Sequence, residues 1–297
     1  MYRIVVPLDG SDFAEGAVSH ASTLARCCNA RLTLFRVLVD DQDRQGHCGD
    51  SPDWRLHQIE ARRYLKGMTD RLNEAGIEAD FEIDEGRPAD RIAAFVREQG
   101  ADLVVMSAYG GSGQTEFPFG GVAHKVLVAA GTSYMVIREA REPQESVAYR
   151  RILVPLDGSA KAEPALGMAT RLAGFADSEL ILLHAVAVPA MPRRRPLTAK
   201  EEEIRQAVVE SNTEAAKIYL EEVERRLSTR HQVRCLLKVS SNPVRSIAEV
   251  AESEGVDLTV LSAYGGAELN GWSRESICQS VMAVIRTPVL AIQNGTI

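Results

Sequence analysis

The sequence is short of several things, and each absence narrows what the protein can be. No run of about 18 apolar residues occurs among its 297, so no membrane-spanning helix is expected. Basic charge is not in excess. The 34 Lys and Arg face 41 Asp and Glu, and the net charge of −7 argues against nucleic acid or an anionic membrane as a main partner. Cysteine is sparse and unpatterned: Cys27, Cys28, Cys48, Cys235 and Cys278 are odd in number and show no C-x-x-C spacing, so neither a disulfide framework nor a zinc site is expected. His47, Cys48 and Asp50 lie close together on a polar stretch, and read as incidental neighbours rather than a metal site. A strand pattern begins by Ile4, which leaves no room for a signal peptide, and a reduced, cytoplasmic protein is the expectation.

What is present is an ordinary globular composition, 45% hydrophobic and 25% charged, long enough for two domains that each bury a core. The two halves repeat one another. Arg3-Ile4-Val5-Val6-Pro7-Leu8-Asp9-Gly10-Ser11 returns as Arg151-Ile152-Leu153-Val154-Pro155-Leu156-Asp157-Gly158-Ser159. Asp102-Leu103-Val104-Val105-Met106-Ser107-Ala108-Tyr109-Gly110-Gly111 returns as Asp257-Leu258-Thr259-Val260-Leu261-Ser262-Ala263-Tyr264-Gly265-Gly266. The offset is 148 from Asp9 to Asp157 and 155 from Tyr64 to Tyr219, so the later half carries seven extra residues between its second strand and second helix. That stretch includes Arg193-Arg194-Arg195 between prolines, read as a solvated basic loop. The expected division is one domain over 1–139, a polar linker over 140–149, and a second domain over 150–297.

In the first half, unbroken apolar runs predict strands over 4–8, 32–39, 77–83, 103–106 and 134–137. Amphipathic periods predict helices over 13–26, with Ser11 as cap, and over 56–74, 89–99 and 122–130. This βαβα order implies an α/β fold with a parallel sheet covered on both faces.

Two segments carry chemistry. The loop from Ser107, S-A-Y-G-G-S-G-Q-T-E-F-P-F-G-G, opens a helix. Its glycines leave backbone N–H groups open to an anion at a helix N-terminus. On spacing it is neither G-x-x-x-x-G-K-[ST] nor G-x-G-x-x-G, and a flexible connection accounts for such glycines equally well. The other segment is Pro7-Leu8-Asp9-Gly10-Ser11, at a strand end where doubly wound sheets bind ligands. There Asp9 is placed to accept from ligand hydroxyl or amino groups, unless it and Ser11 merely cap the helix.

On these residues each half resembles a universal stress protein domain. The motifs are the I-[LV]-V-P-x-D-G-S opening, the L-x-L-x-x-V second strand, the A-D-L-[IV]-V-M stretch and the glycine loop, and the whole chain resembles a tandem protein of that family. The resemblance implies two doubly wound, five-stranded parallel-sheet domains, Rossmann-like and paired about a pseudo-two-fold, with residues 134–137 and 289–292 as the strands that meet. In the nucleotide-binding branch it implies a site for ATP or another adenine nucleotide, with Mg²⁺ as its companion. That branch carries G-x2-G-x9-G-[ST], against which the first half reads Ser107, Gly110, Gly120, Gly121. Ser107 adds a side chain, and Gly121 lacks a phosphate-donating hydroxyl, a loss of about 0.5–1.5 kcal/mol.

By resemblance the nucleotide site consists of Pro7, Leu8, Asp9, Val37, Ser107, Tyr109, Gly110, Gly120, Gly121 and Val122. Asp9 would meet the adenosine and Val37 the adenine. A weaker second site would use Asp157, Ala185, Ser262, Gly265 and Ser276, with Glu275 in place of a glycine repelling the phosphate. Tyr109 and Tyr264 either stack on a ligand or lid the loop, His184 reads as a core or rim histidine, and His124 near the phosphates has no nucleophile pattern beside it. With no lysine in the glycine loop, no paired carboxylates and no triad, a regulatory binding module is expected rather than an enzyme, with at most slow ATP hydrolysis. The alternative is a stress scaffold or chaperone-like protein whose pocket holds another ligand. Beyond internal pairing, a homodimer is also open.

Overall fold

The structure, a computed structural model, describes residues 1–39, 52–111, 120–138, 146–189, 197–263 and 274–293. The chain divides into two units, Met1–Ala148 and Tyr149–Ile297.

The first unit begins with β1 (Arg3–Pro7), whose Ile4, Val5 and Val6 are all buried. Pro7 is its last residue, and the Leu8 N–H beyond it still donates to the Phe35 carbonyl at 2.8 Å. Ser11 then caps α1 (Asp12–Cys28), its hydroxyl accepting the Ala14 N–H at 3.3 Å, with Asp12 and Glu15 in the positive first turn. The helix stops at Asn29 in the left-handed region. There follow β2 (Arg31–Leu38), α2 (Pro52–Glu74), β3 (Ala79–Glu85), α3 (Pro88–Glu98), β4 (Leu103–Ser107), α4 (Gly121–Ala129) and β5 (Ser133–Ile137).

β3 starts two residues later than the expected 77–83. Ile77 is buried, but its N–H donates to the Leu72 carbonyl at 2.9 Å, which ties it to the end of α2. Gly76, at φ +78°, makes that closure.

Strand order is β3-β2-β1-β4-β5, and neighbouring strands pair in parallel. Order reverses between β1 and β4. Right-handed crossovers therefore put α1 and α2 on one face and α3 and α4 on the other. Phe35 of β2 stacks on Phe95 of α3 with centroids 4.2 Å apart, so odd residues of β2 face α3 and even ones face α2.

The second unit repeats the plan. It comprises β6 (Arg151–Leu156), a 3₁₀ turn (Ala160–Ala162), α5 (Glu163–Ala176), β7 (Glu179–Ala187), α6 (Ala199–Leu227), β8 (Gln232–Ser240), α7 (Pro243–Ser253), β9 (Leu258–Ser262), α8 (Arg274–Val284) and β10 (Val289–Ile292), in the order β8-β7-β6-β9-β10. Asp177 ends α5 at φ 51° as Asn29 ends α1 at φ 49°.

Residues at the junction are fixed locally. Val147 N–H and carbonyl both bond the Thr23 hydroxyl at 2.8 Å, while Tyr149 is 1% exposed and belongs to the second unit's core. No helix among the described residues is long and apolar enough to cross a membrane.

Candidate functional site

Where strand order reverses, the carboxyl ends of β1 and β4 part and leave a crevice. In the first unit it is a cavity of about 610 Å³, within the usual range for a small-molecule site. Ten residues singled out from the sequence line it: Pro7, Leu8, Asp9, Val37, Ser107, Tyr109, Gly110, Gly120, Gly121 and Val122.

Asp9 acts there as a brace. Its Oδ1 accepts the Ser11 N–H at 3.0 Å and the Ser11 hydroxyl at 2.5 Å, and its Oδ2 accepts the Gly111 N–H at 2.8 Å. Asp9 therefore does more than help cap α1: it spans from β1 to the loop after β4. Burial works to raise its pKa, but the bonds from Ser11 and Gly111 outweigh that and hold it below the ordinary carboxylate value. Among the described residues Oδ2 accepts this one donor, which leaves a second lone pair for a ligand hydroxyl.

The glycine loop uses part of its donor set within the protein. Gly111 N–H goes to Asp9, and Gly120 N–H donates to the Ala108 carbonyl at 2.7 Å, closing the loop's two ends. The expectation that Gly120 offers its N–H to phosphate is thus corrected; Gly120 instead shapes the cradle, since an added Cβ would lie 3.1 Å from the Ala108 oxygen. Among the described residues, the donors left for an anion are those of the first turn of α4, where Gly120 gives no side-chain cap and the helix's own first turn holds no acidic residue. Gly121 opens that turn, and a Cβ added to it would meet nothing within 4 Å.

Gly110 is required by contact, as a Cβ there would meet Asp9 Oδ2 at 2.4 Å. Ser107 lines the cavity. It is buried, and its hydroxyl accepts the Tyr109 N–H at 3.3 Å. Tyr109 is buried too, its hydroxyl accepting from Arg138 at 3.1 Å, which favours the lid reading over ligand stacking. His124 is exposed on α4.

The cavity has two unlike walls. Toward α3 and α4 it is apolar, formed by Val37, Phe35, Ile92 and Met106. Toward α2 it is polar, with Arg36, His57 and Glu60 beside Trp54. Sequence reasoning passes over Arg36. Its guanidinium lies 5.5 Å from the Tyr64 ring centroid and 3.1 Å from where a Gly10 Cβ would be. The signal lies in the repeat, since the position 148 residues on is His184 rather than a second arginine.

The pattern that defines the "Universal stress protein family" matches residues 1–138 and again 148–293. The chain belongs to that family. A universal stress protein of Methanocaldococcus jannaschii is 30% identical over 144 residues, 47% of this chain and 84% of that one. A universal stress protein of Mycobacterium tuberculosis is 23% identical over 303 residues and covers 99% of this chain and 98% of its own. Among solved structures, a universal stress protein from Archaeoglobus fulgidus superposes with a TM-score of 0.67 at 16% identity, covering 99% of this chain and 97% of that one, a likeness of fold.

In the second half of this universal stress protein, Asp157 again follows the first strand of its unit, and its Oδ1 accepts the Ser159 N–H at 2.9 Å. Ala185 lies in β7 opposite Lys238, and Ser262 ends β9. Gly265, Tyr264 and Arg193 to Arg195 lie outside the described residues, as do His47, Cys48 and Asp50. Glu275 and Ser276 fall in the first turn of α8, their side chains undescribed.

His184 takes the slot of Arg36, and its ring meets that of Tyr219 edge-on at 6.4 Å. Burial lowers the His184 pKa, against a smaller opposing pull from Asp157. Tyr219 is pushed up to about 12, chiefly by burial and then by Glu163. Among the described residues His184 Nδ1, Tyr219 Oη and Ser159 Oγ are buried with no hydrogen-bond partner, whereas in the first unit Ser11 bonds Asp9 and Tyr64 donates to Glu15 at 2.8 Å.

Proposed function

We propose that the first unit binds an adenine nucleotide of the ATP class, and that the protein is a nucleotide-responsive regulatory module of the stress response. One observation carries this reading: the cavity at the β1/β4 reversal joins an apolar slot at Val37 to the N-terminus of α4, which Gly120 leaves without a side-chain cap, with Asp9 between them. An apolar slot suits a purine, a carboxylate lone pair suits a ribose hydroxyl, and a helix N-terminus suits phosphate. The family resemblance orders the parts of a nucleotide along the site in the same way. Mg²⁺ would arrive with the phosphates, because no group of three or more His, Cys, Asp or Glu among the described residues is set to hold a metal.

The reading is of binding rather than turnover. Asp9, the central carboxylate, is committed to three protein donors and held below the ordinary carboxylate pKa, which suits a brace and makes it a weak general base. The protein would act through surfaces that change with occupancy, in the cytoplasm and without nucleic acid.

A second reading, a scaffold whose pocket takes a non-nucleotide ligand, is favoured by the internal use of the Gly111 and Gly120 amides, which leaves fewer donors for a polyphosphate. Thermal denaturation with and without millimolar ATP separates the two. A raised midpoint that is lost in Gly120→Glu supports nucleotide binding; an unchanged midpoint in the parent protein removes it.

A further inference from the structure

Arg36 is a cation without an assigned task. It stands near the end of β2 on the α2 face and lines the cavity. Of the carboxylates near it, Glu15 accepts the Tyr64 hydroxyl and Asp9 accepts from Ser11 and Gly111, while Glu60 lines the same polar wall. No carboxylate among the described residues is ion-paired with Arg36; its contacts are the Tyr64 face and the Gly10 turn. Tyr64 in turn is held by Glu15, so the guanidinium rests on a fixed platform. A half-buried guanidinium that is positioned by stacking and spends no donors on a carboxylate is ready for an anion from solution.

Its place relative to the α4 N-terminus follows from strand order. Arg36 lies near the end of β2, Asp9 follows β1, and the glycine loop follows β4, in the adjacent order β2-β1-β4. With neighbouring strands about 4.8 Å apart, the two anion-attracting ends flank Asp9 across roughly 10 Å of sheet edge. A ligand whose ribose lies over Asp9 would present its 5′ phosphate to one end and its ribose hydroxyls toward the other.

Resting on the nucleotide reading above, we propose that Arg36 recognises a second anionic group on the ligand. The first unit would then prefer an adenine nucleotide phosphorylated on its ribose as well as at its 5′ end. The second unit, with His184 in the same slot, lacks the fixed charge and would not share the preference.

The test is calorimetric titration of the full chain with AMP, with adenosine 3′,5′-bisphosphate and with its 2′,5′ isomer, using pyrophosphate as the control for charge alone. One of the bisphosphates should bind about tenfold more tightly than AMP or better, and in Arg36→Gln that ratio should fall to near one. Arg36→Lys, which keeps the charge without the planar fork, should give an intermediate ratio and serves if Arg36→Gln does not fold. AMP binding with no bisphosphate preference overturns the role of Arg36 and leaves the nucleotide reading intact. A preference that survives both substitutions, or that pyrophosphate matches, also overturns it. Binding of no adenine nucleotide removes both.

Discussion

The Asp9 carboxylate and the Gly111 N–H meet at 2.8 Å, and that contact joins the end of the first strand to the loop after the fourth. Because β1 and β4 are the two strands that part at the reversal of order, and Asp9 and Gly111 both line the cavity there, the contact is part of the cavity wall. Ligand affinity and local stability should therefore change together when it is broken.

Asp9→Ala removes three hydrogen bonds to a partly exposed carboxylate, so a loss of about 1–2 kcal/mol in unfolding free energy at pH 7 is expected, together with loss of the ATP-induced rise in melting midpoint. The sign with pH follows from the lowered pKa. The Asp9 contribution is fully present above the ordinary carboxylate value and is lost as pH falls through the depressed folded value. Denaturant unfolding of the parent and Asp9→Ala should show a stability gap that is constant above about pH 5 and closes as the pH falls below about 4. A gap that widens on acidification contradicts the brace.

Two glycines in the same loop should answer oppositely to a small side chain. Gly110→Ala places a methyl 2.4 Å from Asp9 Oδ2 and must break the brace or displace the loop, at a cost of about 1–3 kcal/mol and of nucleotide response. Gly121→Ser meets nothing within 4 Å and adds a hydroxyl at the start of α4, so it should fold like the parent and tighten ATP binding by up to about tenfold. Melting curves and titrations of the pair decide it. Equal behaviour of the two would show that the loop does not face the ligand as described.

How much is legible in the sequence differs by element. The repeat and the apolar runs point to the strands of both units, because strands buried on two faces leave little choice of period. The start of β3 is misjudged since Ile77 is apolar for a different reason, packing under the turn at Gly76, and hydrophobicity alone does not separate the two. Asp9, Gly110 and Gly120 come together because motif spacing at strand ends fixes position. What spacing does not show is the direction of N–H bonds: the place of Gly120 in the motif is compatible with donation to phosphate, and its actual partner, the Ala108 carbonyl, depends on how the loop closes. Arg36 escapes notice because a single arginine near a strand end looks solvated until Tyr64, 28 residues on, is brought beneath it.

The second unit carries its own pH dependence. His184 is held neutral mainly by burial, so protonation favours the unfolded chain, and the stability it confers is lost as pH falls from the unfolded histidine value of about 6.5 toward the lower folded one. The melting midpoint of the parent should drop between about pH 7 and pH 5 more steeply than that of His184→Gln. Parallel slopes would show that Asp157 offsets the burial of the ring.

The central claim is that one of two repeated units holds an adenine nucleotide. Native mass spectrometry of the full chain titrated with ATP to millimolar concentration measures this directly. The expected result is a single added nucleotide mass per chain, absent in Gly110→Ala and retained when Asp157 is changed to Ala. Two equivalent nucleotides per chain, or none, would contradict it.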